Sequence, residues 1–262
     1  MKSTRGFKNH ELLNPYKGYI QEARTYLSYP FHSHRDPFRK FIVLSQHRSG
    51  SALLVSLLNS HPDIHCESIL FYYRKMLPMS YLACRSRMSP KNVFGFKLMP
   101  NHIGYQGYKD AKQFILNVHQ SGYSIIKLSR HNLLNSALSL LYAQKRGKYY
   151  YNRLERAQGL PKLTLDPSEL LQKIDWLEQL ATLQNQITET IPHLALVYED
   201  DLENPTDQQT TVDRITQYLE LPNVQVQSDI ARITVTDHSE YIANFDEVLA
   251  TLRDTGVEYR LA

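Results

Sequence analysis

Cysteine is almost missing from this chain. Cys66 and Cys84 are the only two in 262 residues, too few for a disulfide-stapled scaffold, and both are read as thiols. Long apolar runs are missing as well. No stretch approaches the roughly 20 residues that cross a bilayer, and the N-terminus has no signal-peptide core. The default expectation is a soluble, cytoplasmic protein without an integral membrane segment. There is no internal repeat and no low-complexity tract. Charge of one sign is in small excess, a net +4, too little and too scattered for a nucleic-acid partner but suited to an anionic ligand. Metal-ligand spacing is not found: His32 and His34 stand one residue apart with no third ligand near, so a solvated loop is expected and no metal. The pattern GxxxxGK[ST] has no match, which removes the best sign of an ATP- or GTP-dependent kinase.

With 42% hydrophobic residues, a chain of this length defaults to one α/β domain with a sizeable core. Phe41-Ile-Val-Leu-Ser45 is a continuous apolar run, the pattern of a buried parallel strand. Gln46 to Ser51 follows as a small-residue turn, and Leu53, Leu54, Leu57 and Leu58 mark a helix. Strand, turn, helix points N–H groups and a positive helix end at an anion; Arg48 adds a donor fork that suits an oxyanion. Pro62 ends that helix, and the chain should rejoin the sheet near Ile64 to Cys66, leaving Glu67 at a strand end. Further strands are expected over 93–99, 123–129 and 194–198. Pro100 should break the first of these, Gly95 suggests a close backbone approach inside it, and Lys97 is a lysine in need of a partner. Helices are expected from Lys109 to His119, from Asn132 to a stop at Gly147, from a cap at Asp166 or Ser168, and from Asp207 to Leu219. Asn132, Asn135, Ser136 and Ser139 form a polar stripe that, taken alone, marks a solvent face. Residues 71–92 read as a lid or substrate-side insertion with partial helix, and 149–166 as a loop over the acceptor.

RSGSALL, with its preceding strand, resembles the 5′-phosphosulfate loop of sulfotransferases that use 3′-phosphoadenosine 5′-phosphosulfate (PAPS). That loop reads [KR]-[ST]-G-[ST]-[ST] and then an apolar residue. Arg48, Ser49, Gly50 and Ser51 match, Ala52 departs where a second hydroxyl is usual, and Leu53 takes the apolar place. IIKLSRHNLLNSALSLLYAQKRG resembles the 3′-phosphate motif of the same family through Arg130, Asn132 and Ser139. GFKLMPNH resembles the segment facing donor and acceptor in the bacterial carbohydrate branch. Met99 stands where cytosolic members carry a catalytic histidine, so that base is not carried over. YEDDLENP resembles a segment whose acids are structural rather than Mg²⁺ ligands, and the tail from Asp237 to Leu249 resembles the family's ending.

The resemblance covers the chain from about Phe41 onward, outside 71–92. It implies a P-loop-like three-layer sandwich, a central mostly parallel sheet flanked by helices, forming a single domain over 41–262 with 1–40 as a leader packed on it. It implies transfer of a sulfuryl group from PAPS to a hydroxyl of a small-molecule, carbohydrate or lipid acceptor, with PAP as product and no metal. Arg48, Ser49, Gly50, Ser51, Ala52 and Leu53 would hold the 5′ end, and Arg130 and Ser139 the 3′-phosphate. Arg48 and Lys97 would meet the developing charge. Glu67 is favoured over His102 as the base, with His65 third. The alternatives are a nucleotide-dependent kinase on a related fold and a non-catalytic binding module, which Ala52 favours.

Overall fold

The computed structural model describes residues 15–32, 36–68, 70–108, 110–149, 151–152, 161–231 and 237–255. Its centre is β1 (Arg39–Ser45), whose residues Phe41 to Leu44 have no solvent exposure at all. Such a strand must be covered on both faces, which is the usual state of a parallel sheet. β2 (Ile64–Glu67), β3 (Val93–Leu98), β4 (Tyr123–Ser129) and, later in the chain, a strand over His193–Val197 complete five parallel strands. Two residues, Tyr151–Asn152 (β5), pair antiparallel with Ile230–Ala231 (β7), so the strand at His193–Val197 is β6 and the main sheet runs β2-β3-β1-β4-β6.

The helices cover the sheet in two layers. α1 (Pro15–Ser28) precedes the sheet; α2 (Ser51–Ser60), α3 (Pro78–Arg87), α4 (Pro100–Tyr105), α5 (Ala111–Gln120) and α6 (Leu133–Arg146) connect the strands. α7 (Pro167–Thr188), the single turn α8 (Tyr198–Asp201), α9 (Pro205–Tyr218) and α10 (Phe245–Asp254) follow. α2 and α9 pack on one face through Leu54, Leu58, Val212 and Ile215. α3, α5 and the end of α7 pack on the other through Leu82, Phe114, Ile115 and Ile187. The result is the three-layer sandwich. α6, α7 and α10 share a further core.

Local sequence explains the ends. Asn132 caps α6 by accepting the Asn135 N–H at 2.8 Å, and Gly147 closes it with φ 65°. Asp110 and Asp166 cap α5 and α7 in the same way. In the tail, the Asn244 amide both accepts from and donates to the Leu165 backbone (3.0 and 2.8 Å), which latches α10 to the start of α7.

Three expectations are corrected. Pro100 opens a helix instead of only ending a strand, because the first helical position loses nothing by lacking an N–H. Gly95 is required by a side chain and not by backbone: a Cβ there would lie 2.2 Å from the Phe41 ring. β6 stops at Val197, where the Asp201 carboxylate takes its N–H at 2.7 Å and turns the chain into α8. Residues 71–92 carry the expected partial helix, α3, and their first part is tied to α1 and α4 by polar bonds. The Gln106 side chain bonds Phe71 O, Tyr73 O and Lys75 N, while Glu22 from α1 accepts the Met76 and Leu77 N–H groups at 2.6 and 2.8 Å. His34 and Lys109 lie outside the described residues, as does much of the loop over 149–166. Among the described residues no helix is long and apolar enough to cross a membrane.

Candidate active site

β1 is where the sheet's connections part. Its own leads to α2 on one face, while those of its neighbours β3 and β4 lead to α5 and α7 on the other. Such a switch point leaves a crevice beyond the carboxyl ends of the strands. The turn Gln46–Gly50 lies there. Arg48 (φ 59°) and Gly50 (φ 75°) both take the left-handed conformation, and Ser49 Oγ donates to Gln46 O at 2.9 Å, closing the turn. A side chain at Gly50 would run into the Tyr198 ring. Ser51 then begins α2, with its N-terminal amides at the crevice. The Ser49 and Ser51 side chains are buried, and that of Ser49 is engaged by the Gln46 carbonyl. Ala52 and Leu53 are half-buried in the first turn of α2.

Two guanidinium groups converge beside this turn. Arg48 Nε donates to Ser139 Oγ at 2.9 Å and its Nη1 to the Tyr149 carbonyl at 2.6 Å. Arg130 Nη1 donates to the Arg48 carbonyl at 2.7 Å, and its guanidinium lies 4.5 Å from the Tyr198 ring centre. Burial, and then the charge of Arg130, pull the Arg48 pKa down to about 10. One carboxylate stands nearby, Glu199, 3.4 Å from Arg130 Nε. Glu199 also accepts the His131 and Asn132 N–H groups at 3.0 and 3.1 Å, so it occupies the N-terminal end of α6. The polar stripe of α6 is not a solvent face: Asn135, Ser136 and Ser139 are buried and turned toward this cluster or the core. Hydroxyls on a covered face of a leucine-rich helix need a polar reason, and Arg48 supplies one for Ser139.

Lys97 lies in register with Val43 of β1. It shares a cavity of about 230 Å³ with Ala52, Val55, Ser56, Asn59 and Ser68, between α2 and the end of β2. Burial lowers its pKa, the Cys66 thiol opposes, and Arg48 lowers it further. Glu67 ends β2 with Oε1 held by Arg85 through Nε (3.0 Å) and Nη2 (2.7 Å); His65 Nε2 is 4.0 Å away. His102, on α4, is buried among Tyr72, Tyr105 and His47, with ring centres 5.7, 5.7 and 6.3 Å away. Burial first, then His47 and Lys97, push its pKa down to about 3. It is a neutral imidazole at pH 7.

The structure therefore brings Arg48, Arg130 and Ser139 into one cluster, and Ala52 and Lys97 into one cavity. Glu67 pairs with Arg85 and stands apart from that cluster. Sequence reasoning missed His47. Its Nε2 meets Asn101 Oδ1 at 2.9 Å, so Nε2 carries the proton and Nδ1 presents a lone pair; Trp176 packs on the ring at 4.9 Å. Burial chiefly lowers its pKa, to about 4. Its position immediately before Arg48 was the one signal available. Arg85 and Asn101 were also missed, since nothing in their spacing ties them to the loop.

The fold and site together define an α/β protein with a cationic crevice at the carboxyl edge of its central strand. No protein-family model matches the chain, and no curated protein matches it. Among solved structures it is similar to a sulfotransferase from Alicyclobacillus acidocaldarius, at 13% identity and TM-score 0.47, over 83% of this chain and 95% of that one. It is also similar to the mouse sulfotransferase SULT7A1 complexed with PAP, at 14% identity and TM-score 0.45, over 76% of this chain and 64% of that one.

Proposed function

We propose that this chain is a sulfotransferase that moves the sulfuryl group of PAPS to a hydroxyl of a small-molecule, carbohydrate or lipid acceptor, without a metal. The observation that carries the reading is the meeting of Arg48, Arg130 and Ser139 in one buried cluster beside the turn before α2. Two guanidinium groups held close, with one carboxylate between them and α6, repel each other in a medium that strengthens the repulsion. A polyanion relieves that cost. A nucleotide carrying phosphates on both its 5′ and 3′ positions has the charge and the span for it.

In this reading the amides of the Ser49–Ser51 turn and Arg48 hold the 5′ end and stabilise the leaving phosphate. Arg130 and Ser139 read the 3′-phosphate. Ala52 and Leu53, in the first turn of α2, complete the hold on the 5′ end, and Lys97, which shares a cavity with Ala52, meets charge building on the transferred group. The acceptor oxygen forms its bond to sulfur as the bond from sulfur to the 5′-phosphate oxygen breaks, and the acceptor's proton passes to a base. Glu67 is the proposed base. Arg85 holds one of its oxygens, and His102 is the second candidate. Glu199 and Asp201 are engaged by backbone amides and by Arg130 and Arg214, a structural role.

The test is thermal denaturation with PAP, ADP and ATP. A ligand at 100 times its Kd stabilises the folded state by about 2.7 kcal/mol. PAP should raise the melting temperature well beyond ADP at equal concentration. Equal shifts with PAP and ADP would remove the 3′-phosphate reading, and no shift with any of them would remove nucleotide binding altogether.

A further inference from the structure

Nine large apolar side chains stand exposed among the described residues, and four of them lie on α1 or in the turn that follows it. Tyr16, Ile20 and Leu27 are on α1, Phe31 is in the turn that follows it, and Met76 and Leu77 are in the segment that α1 holds. Tyr16, Ile20, Ala23 and Leu27 recur at i, i+4, i+7 and i+11, a single stripe along the helix. Leu27 is 74% and Phe31 88% exposed.

The opposite face of α1 is the polar one. Gly18, Glu22 and Thr25 are turned inward and buried. Gly18 lies against the Arg74 carbonyl with no room for a Cβ. Glu22 accepts from Met76 N, Leu77 N and Tyr26 Oη, and Gln21 accepts from Lys75 Nζ at 2.7 Å. A helix on the surface of a water-soluble domain is built the other way round, apolar inward. α1 is anchored by polar bonds and shows its apolar stripe outward. The charges beside the stripe have one sign: Lys17 and Arg24 are exposed, while the helix's single acid, Glu22, is buried.

We propose that α1 and the adjoining Phe31 dock on an anionic phospholipid surface. Ile20, Leu27 and Phe31 enter the boundary between head groups and acyl chains, and Lys17 and Arg24 meet the lipid phosphates. An apolar arc flanked by basic residues, lying in the plane of the interface, is the physical form of such helices. Long basic side chains keep their charge at head-group level while their stems cover apolar surface. A second copy of the chain fits the stripe less well, because a two-fold pairing of α1 helices would set Lys17 and Arg24 against their own counterparts. The proposal is independent of the reaction assigned above.

The test is co-sedimentation of the full chain with vesicles of phosphatidylcholine alone or with about 30% phosphatidylglycerol, at low and high salt, alongside light scattering for oligomeric state. Binding to the mixed vesicles should exceed binding to the neutral ones and fall with salt. The double variant Ile20→Glu/Leu27→Glu should bind roughly ten-fold more weakly or worse, since each exchange removes an apolar anchor. Lys17→Gln/Arg24→Gln should lose the preference for anionic vesicles. Both variants change exposed side chains, and an unchanged melting temperature will show that they fold. Absence of vesicle binding, or binding that the double variant leaves intact, overturns the proposal. So does a dimer that the double variant abolishes, which would show a second copy on the stripe.

Discussion

Replacing Gly50 by alanine tests the turn before α2, because its cost can be worked from two separate observations. Gly50 has φ 75°. A residue with a Cβ in that conformation costs about 1–2 kcal/mol. The added Cβ would also lie 2.4 and 2.6 Å from Cδ2 and Cε2 of Tyr198, far inside the contact distance of about 3.5–4.0 Å between carbons. Relieving such overpacking costs about 1–3 kcal/mol more. The sum is about 2–5 kcal/mol. For a chain of this size that is roughly 4–9 °C in Tm, from an unfolding entropy of about 2.1 cal/mol/K per residue. The ring cannot move without consequence, since Arg130 stacks on it at 4.5 Å. PAP affinity, measured by titration calorimetry, should therefore fall about ten-fold or more, equivalent to about 1.4 kcal/mol. Gly104→Ala is the control: nothing lies within 4 Å of a Cβ there, and the site is helical. It should be neutral or gain up to about 1 kcal/mol. If Gly50→Ala loses no more stability than Gly104→Ala, the turn geometry described above is wrong.

Other outcomes follow from the same site. Arg130→Ala should weaken PAP binding far more than ADP binding, by the roughly 1.5–3 kcal/mol of a charge-assisted contact; equal losses would mean that Arg130 does not read the 3′-phosphate. Glu67→Gln should lower turnover by orders of magnitude while PAP affinity holds, and His102→Gln should do so instead if the proton goes to the imidazole. Stability should depend on pH through His47 and His102, whose pKa values in the folded chain are about 4 and about 3. The unfolded chain, with histidine near 6.5, binds more protons in this range. The contribution is therefore complete above about pH 6.5 and declines as the pH falls from there toward 4, by about 1.4 kcal/mol per pH unit for each histidine. Urea denaturation between pH 7.5 and 5 measures it, and a His47→Gln/His102→Gln double variant should flatten the slope; an unaltered slope would assign the effect to other groups.

Much of the sheet was legible because its strands carry their burial in their composition. Phe41 to Leu44 admits no solvent-facing residue, and the run predicts a strand covered on both sides. Asn132, Gly147 and Asp166 announced helix ends through cap chemistry that depends on neighbours two or three residues away. What stayed hidden depends on contacts far apart in the chain. The Ser139 stripe looked solvated because nothing near it in sequence shows that Arg48, 91 residues earlier, lies against it. Gly95 made sense only once the Phe41 ring was beside it. Pro100 was legible both as a strand end and as a helix start, and only the first was read. The candidate site followed the same division: Arg48, Arg130 and Ser139 stood in recognisable patterns, whereas His47 and Arg85 gain meaning only from Asn101 and Glu67.

The carboxylate of Glu22 has a consequence for how the molecule breathes. It holds two amides that lie 54 and 55 residues further along the chain, so those bonds last only while α1 is seated. α1 brings few apolar side chains to the core, and a segment anchored mainly by polar bonds opens at a lower free energy than the sheet does. The Met76 and Leu77 amides should accordingly exchange with deuterium together, at a rate set by the lifting of α1, well before the amides of β1. A helix outside the sheet thus sets the local rigidity of the segment that leads into α3.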